Sequence, residues 1–197
     1  MSLIVISDPL SFTGEADLIN QLFDAGMTIF HLRKPGIDKS DYTKLISQIA
    51  KHYHDRVALH QFHELRKDFA SIKRLHYQEQ LRKEGSINVD GYTLSTSIHH
   101  LDDLNELKGF DYTFYGPVFN SISKQGYTGL STEELILPDK NRSIKIIGLG
   151  GIDHEKVQDI KLIGFDGIAV LGTIWNNKNL AIKNFKSLIN KYKEHFN

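Results

Sequence analysis

Short runs dominated by apolar and β-branched residues alternate along this chain with longer stretches whose apolar positions recur every three or four residues. The runs are Leu3–Ser7, Met27–Leu32, Arg56–His60, Ile72–His76, Gly91–Ser95, Tyr112–Gly116, Lys145–Gly148 and Gly167–Leu171. Between them, Leu18, Leu22 and Phe23 share one helical face, and Tyr42, Leu45, Ile46 and Ile49 share another. Val157, Ile160 and Ile163 form a later stripe, and Leu180, Phe185, Leu188, Ile189 and Tyr192 form the last. A period of two followed by a period of 3.6, repeated, reads as βα units around a parallel sheet. Asp38 and Asp153 stand where a side-chain oxygen can cap a helix start. Eight strand candidates predict an α/β fold, a single-domain (β/α)8 TIM barrel over residues 1–197, with a doubly wound open sheet as the competing architecture. The usual barrel has roughly 250 residues. The economy is expected between His76 and Gly91, where Gln78–Gly85 leaves a short helix or none.

Composition narrows the function. Lysine plus arginine number 24, as do aspartate plus glutamate, so the formal net charge is zero across 197 residues. That removes the electrostatic footprint of a nucleic-acid or membrane-surface binder. The absence of cysteine excludes disulfides, thiolate zinc sites and cysteine nucleophiles. The segment Met1–Pro9 lacks a basic leader and meets an acid and a proline early, and no apolar run reaches spanning length. A soluble cytoplasmic protein with small-molecule partners is expected, with homo-oligomerisation left open.

In a barrel, chemistry gathers where strands end. After the sixth strand, Gly116-Pro117-Val118-Phe119 opens into Ser121, Ser123 and Lys124, two hydroxyls and a cation suited to an anionic ligand. After the seventh and eighth come Gly148-Leu149-Gly150-Gly151-Ile152-Asp153 and Ala169-Val170-Leu171-Gly172-Thr173. Paired glycine-bearing ends on the last two strands suit a barrel phosphate site, although tight turns alone explain either one. Arg33 can grip a phosphate bidentately and Lys34 is a looser point charge; a surface cationic pair is the plain alternative. Ser97 and His99 can orient a substrate or relay a proton, and a helix cap explains Ser97 equally well. His31, His60, His76 and His99 fall at or near strand ends, which opens a metal reading. No carboxylate accompanies them, which favours packed or hydrogen-bonded histidines, and no metal ligand is assigned. His52, His54, His154 and His195 read as helix-surface residues.

The segments His31-Leu32-Arg33-Lys34, Ser97-Ile98-His99, Gly116-Pro117-Val118-Phe119 through Lys124, Gly148-Leu149-Gly150-Gly151-Ile152 and Gly164–Val170 together resemble the thiamin phosphate synthase and TenI family. Their order and spacing carry the resemblance almost end to end. It implies a barrel that joins, or prepares, the pyrimidine and thiazole halves of thiamin. It also implies that Gly151, Leu171 and Gly172 hold a thiazole phosphate by their backbones, with Ser121 and Ser123 facing the same ligand. Arg33, Ser97 and Lys124 would hold a pyrimidine pyrophosphate.

The chain departs from that family at its metal site. Synthases resemble Gln-Leu-Arg-Glu-Lys where this chain reads His31-Leu32-Arg33-Lys34-Pro35, and Asn-Asp where it reads His60-Gln61. The aspartate after the fourth strand is replaced in His76-Tyr77-Gln78-Glu79-Gln80. The resemblance makes those two aspartates magnesium ligands, and magnesium prefers hard oxygen donors. No cofactor is therefore assigned, and Mg2+ belongs only to a divergent synthase in which Glu79 and Lys34 stand in. A TenI-like, metal-independent thiazole tautomerase is put first. Its usual histidine is replaced here by Pro117, so His99 and Lys124 become the catalytic candidates, with His31 or His60 able to take the proton-moving part. A divergent synthase and a non-catalytic thiazole-phosphate binder are the alternatives. A phosphate-sugar isomerase on the same barrel has the fold but not the loop motifs.

Overall fold

In a computed structural model, residues 2–85, 87, 89–119, 135, 137–138 and 143–196 are described. Eight parallel strands form a closed barrel in sequence order: β1 (Ser2–Ile6), β2 (Ile29–Leu32), β3 (Val57–Leu59), β4 (Arg74–Tyr77), β5 (Thr93–Ile98), β6 (Tyr112–Tyr115), β7 (Lys145–Leu149) and β8 (Gly167–Val170). β1 pairs with β8 from Ser2↔Gly167 to Val5↔Val170, and this closure rules out the open sheet. All eight strands lie within or beside the apolar runs of the sequence.

The crossings are thinner than in a full barrel. Helices α1 (Glu15–Asp24) and α2 (Lys39–Gln48) follow the first two strands, and α3 (Glu79–Glu84) follows the fourth. The connections after β3 and β5 carry only 3-10 turns, His63–Lys67 and Leu101–Glu106. Among the described residues, the economy expected between His76 and Gly91 is thus joined by those after β3 and β5. α4 (Val157–Ile163), α5 (Gly172–Trp175) and α6 (Ala181–Phe196) complete the wall. None of the described helices is long and apolar enough to cross a membrane.

Period-two alternation separates two cores. Leu3, Val5, Phe30, Leu32, Val57, Leu59 and Leu75 point outward and pack beneath the helices. Ile4, Ile6, Ile29, Tyr112, Phe114, Ile147 and Ala169 point into the lumen and form a cluster of their own. α6 buries Ala181, Phe185, Leu188, Ile189, Tyr192 and Phe196, a stripe at helical spacing. Leu180, placed in that stripe by its spacing, lies in the preceding 3-10 turn and is 41% exposed.

Asp38 caps α2, accepting the Asp41 N–H at 2.8 Å. Asp153 caps a turn rather than α4: its side chain accepts the Glu155 and Lys156 N–H groups, and the helix begins four residues later, at Val157. His54, expected on a helix surface, is buried, with Nε2 donating to the Ile49 carbonyl at 2.9 Å.

Closure leaves no room at Gly167, where a Cβ would stand 2.3 Å from the Ser2 carbonyl oxygen. Both atoms belong to paired backbone, so neither can turn away. Gly167→Ala is therefore expected to destabilise the fold by about 1–3 kcal/mol, the usual cost of overpacking. Urea unfolding monitored by circular dichroism measures it, and an unchanged midpoint would show that the closure is slack.

Candidate functional site

The β7 and β8 ends form one rim. Gly150 and Gly151 have φ of 103° and 65°, a left-handed backbone that side chains disfavour. Thr173 Oγ1 donates to the Ile152 carbonyl at 2.5 Å, joining the start of α5 to the turn after β7. Gly151, Leu171 and Gly172 are thereby held side by side, half-buried. The first amides of α5 have no acceptor within their own helix and are free in principle to meet an anion. A Cβ on Gly172 would meet the Asn176 side-chain amide at 3.2 Å.

The β6 end is pinned to that rim. Val118 N–H donates to the Leu149 carbonyl at 2.9 Å and Phe119 N–H to the Gly150 carbonyl at 3.1 Å. Gly116 sits so close to β7 that a Cβ would fall 2.1 Å from the Leu149 oxygen. The Pro117 ring lies against Gly150, where a Cβ would come within 2.9 Å of it. Ser121, Ser123 and Lys124 lie outside the described residues.

Across the mouth, β2 to β5 supply the polar lumen. His31, His60 and His76 follow the same alternation as the lumen residues, and all three are buried. His31 Nδ1 is 2.8 Å from His60 Nε2, and His31 Nε2 is 2.7 Å from the Tyr112 hydroxyl. His60 and His76 stack with centroids 3.9 Å apart. His76 Nδ1 meets Ser95 Oγ at 3.0 Å and its Nε2 meets Ser97 Oγ at 3.2 Å. His60 Nδ1 has no partner although it is buried. Burial holds His31 and His60 well below the ordinary imidazole value, with neighbouring His76 adding to it, and pushes His76 down to about 3. It also pushes the Tyr112 hydroxyl up to about 12.

Arg33 lies half-buried at the end of β2. Its N–H donates to Ser7 Oγ at 2.9 Å and its carbonyl accepts from the same hydroxyl at 2.7 Å. Its charge contributes to the lowered values of His60 and His76, so it shares their end of the barrel. Lys34, expected to offer a looser cationic contact, turns instead toward α1. Its ammonium donates to Glu15 at 2.5 Å and to the Leu10 carbonyl at 2.9 Å, with 1% of its side chain exposed. A side chain so held is not available to a leaving group. His99 is exposed, and its Nδ1 lies 2.8 Å from the Gly116 carbonyl. A carbonyl only accepts, so Nδ1 carries a proton and Nε2 is the ring nitrogen left for a ligand.

Magnesium does not fit the residues at the family's metal positions. Gln61 Oε1 accepts the Lys34 N–H, and Glu79 is paired with Lys83 at 2.5 Å. Among the described residues, the three lumen imidazoles are the only grouping whose ligand atoms could converge on a metal. Imidazole is a poor magnesium ligand. Ser95 and Tyr112 complete this network; the sequence placed Ser95 among strand-end hydroxyls able to orient a substrate and gave Tyr112 no role of its own. Their signal was available, because Tyr112 and Phe114 share the lumen face that His31 and His76 occupy.

A closed eight-stranded barrel with glycine-bearing β7 and β8 ends defines a (β/α)8 protein of the class in which phosphate sites are frequently built at those ends. The thiamine monophosphate synthase family model matches residues 3–174, and the chain belongs to that family. It is 30% identical over 103 residues to a thiamine-phosphate synthase of Methanococcus maripaludis, a match spanning 50% of each chain. The chain thus spans about half the length of that curated relative. A thiamine-phosphate synthase of Dictyoglomus turgidum is 27% identical over 86% of this chain and 80% of its own length. The crystal structure of thiamine phosphate pyrophosphorylase from Bacteroides thetaiotaomicron superposes with a TM-score of 0.81, at 29% identity and 98% coverage of both chains.

The buried histidines make stability depend on pH. Their folded pKa values lie below the unfolded value of about 6.5, so the unfolded chain binds the protons first. Their contribution is present above pH 6.5 and is lost as pH falls, at about 1.4 kcal/mol per unit for each group while it stays neutral in the fold. The urea midpoint of chelator-treated protein is expected to drop steeply between about pH 6.5 and 4, and less steeply in His76→Gln. A flat profile would mean that the lumen admits protons freely.

Proposed function

We propose that this chain is a transferase of the thiamine phosphate synthase type, in thiamin biosynthesis, which joins a pyrimidine pyrophosphate to a thiazole phosphate. One observation carries the choice over the tautomerase put first by sequence. Where a tautomerase-type member is expected to present an imidazole, Pro117 lies against Gly150, between two backbones that leave little space. A proline ring moves no proton. The relatives named above are synthases, which supports the same reading.

In this reading Gly151, Leu171 and Gly172 take the thiazole phosphate through backbone amides, where the left-handed glycine turn and the start of α5 meet. Ser121 and Ser123 would add hydroxyls from the β6 loop. Arg33, Ser97 and Lys124 would hold the pyrophosphate. As the bond to the pyrimidine methylene breaks, charge grows on the leaving oxygens, and Arg33 with Lys124 is the cationic charge assigned to them. No step is assigned to magnesium, because Gln61 is uncharged and Glu79 is paired elsewhere.

Two measurements test this. Thiamin phosphate should form from the two substrates at a rate well below the enzyme median of about 10 per second, with little gain from added magnesium. Absence of the product under every condition would overturn the assignment. Gly172→Val, which sets a branched side chain against Asn176, should weaken thiazole-phosphate binding at least tenfold by calorimetry; equal affinities would remove the phosphate site from this rim.

The tautomerase reading survives on one feature, the exposed imidazole of His99. A positioned acid or base contributes roughly a hundredfold or more. Isomerisation of a thiazole carboxylate phosphate by the wild type, lost in His99→Asn, would favour it; no isomerisation would end it.

A further inference from the structure

The lumen trio invites a question separate from the thiamin chemistry. Barrel interiors are normally filled by layers of branched aliphatic side chains. Here His31 on β2, His76 on β4 and His60 just past β3 place three imidazoles in the lumen instead. We infer that His31, His60 and His76 form a three-imidazole site for a divalent transition-metal ion of the zinc class, with a fourth position left open.

Four features support the site. One ligand atom from each ring lies within 4.8 Å of the others. A tetrahedral centre with Zn–N of about 2.0–2.1 Å needs nitrogens about 3.3–3.4 Å apart, so side-chain rotations suffice. Metal-bound histidines characteristically have the second ring nitrogen held by a hydrogen bond. His31 is held this way through Nε2 by Tyr112, and His76 through Nδ1 by Ser95. The atoms to offer are then His31 Nδ1 and His76 Nε2, the latter giving up its 3.2 Å contact with Ser97 Oγ.

The third feature is the 2.8 Å contact between His31 Nδ1 and His60 Nε2. Two ring nitrogens now share one proton there. With His31 protonated at Nε2 and His60 at Nδ1, both facing nitrogens become lone pairs, and a cation replaces the shared proton with no net proton lost. The fourth is that all three rings are buried, so their nitrogens face one another rather than the surface. Arg33, whose charge reaches His60 and His76, favours an anionic oxygen in the open position. The donor set suits zinc, cobalt, copper or nickel and excludes magnesium. None of this depends on which reaction the rim supports.

The test uses untagged full chain, stripped with chelator, loaded with Co2+ and dialysed. One cobalt per chain is expected, with the intense visible absorption of a four-coordinate centre, displaced by Zn2+. His60→Asn and His76→Asn should each weaken binding at least about a hundredfold, since even partners behind the ligands are worth 10–100-fold. His154→Asn, on the exposed turn before α4, should leave binding unchanged. Circular dichroism reports whether each variant folds. If the lumen variants do not, electron paramagnetic resonance of the Cu2+-loaded wild type decides. Coupling to three nitrogens supports the site, and coupling to fewer overturns it. Substoichiometric cobalt, a weak six-coordinate spectrum, or wild-type affinity in folded His60→Asn also overturns it.

Discussion

Closing eight parallel strands creates a lumen that only side chains can fill, and every other residue must point into it. The rest of this structure follows from that constraint. It divides the hydrophobic residues into an inner and an outer cluster. It also commits His31, His60 and His76 to the inside, because their neighbours Leu32, Leu59 and Leu75 are already committed to the outside. Three imidazoles buried in the lumen must then satisfy one another. Tyr112, Ser95 and Ser97 supply what they lack, except at His60 Nδ1.

The same closure organises the rim. The register that brings Ser2 to Gly167 places the β7 and β8 ends beside each other, and Thr173 locks the two turns together. Gly116 and Gly150 then allow β6 and its loop to lie against β7 at distances no side chain would tolerate. The barrel mouth has two halves of different character. Among the described residues, glycine-bearing backbone forms the β6–β8 side, while imidazoles and Arg33 stand on the β2–β5 side. Zero total charge does not make the mouth featureless, because donors are concentrated there locally.

Much of this was legible in the residues. Strand positions followed from apolar runs, because a parallel strand buried on both faces shows little polar interruption. Asp38 announced α2 because a cap is a local interaction. Asp153 misled by position, since an aspartate also stabilises a turn that merely leads into a helix. The thin crossings after β3 and β5 were hidden, because 3-10 turns carry no periodic stripe. Lys34 was the clearest failure. Beside Arg33 it reads as a second cation for ligand, yet its partner Glu15 lies on another element, and no local pattern records a pairing across 19 residues. Convergence of the three histidines is a similar case. Each strand reveals its own parity, but the stacking of His60 on His76 depends on barrel register.

Lys34 also bears on how the site differs from its relatives. The ion pair with Glu15 is almost fully buried, and burial raises the Glu15 carboxyl although Lys34 pulls it down. Removing either partner would strand a charge in the wall of the barrel, so the pair fixes the β2 end to α1 rather than serving ligand. The β2 end therefore presents Arg33 alone, its backbone held twice by Ser7. A guanidinium is rigid, always charged and suited to two phosphate oxygens at once. Gln61, bound to the Lys34 amide, brings no charge to this end, and Glu79 lies in a surface pair with Lys83. Arg33 and the buried imidazoles thus share the β2–β5 half of the mouth, while Lys34 is spent on the wall.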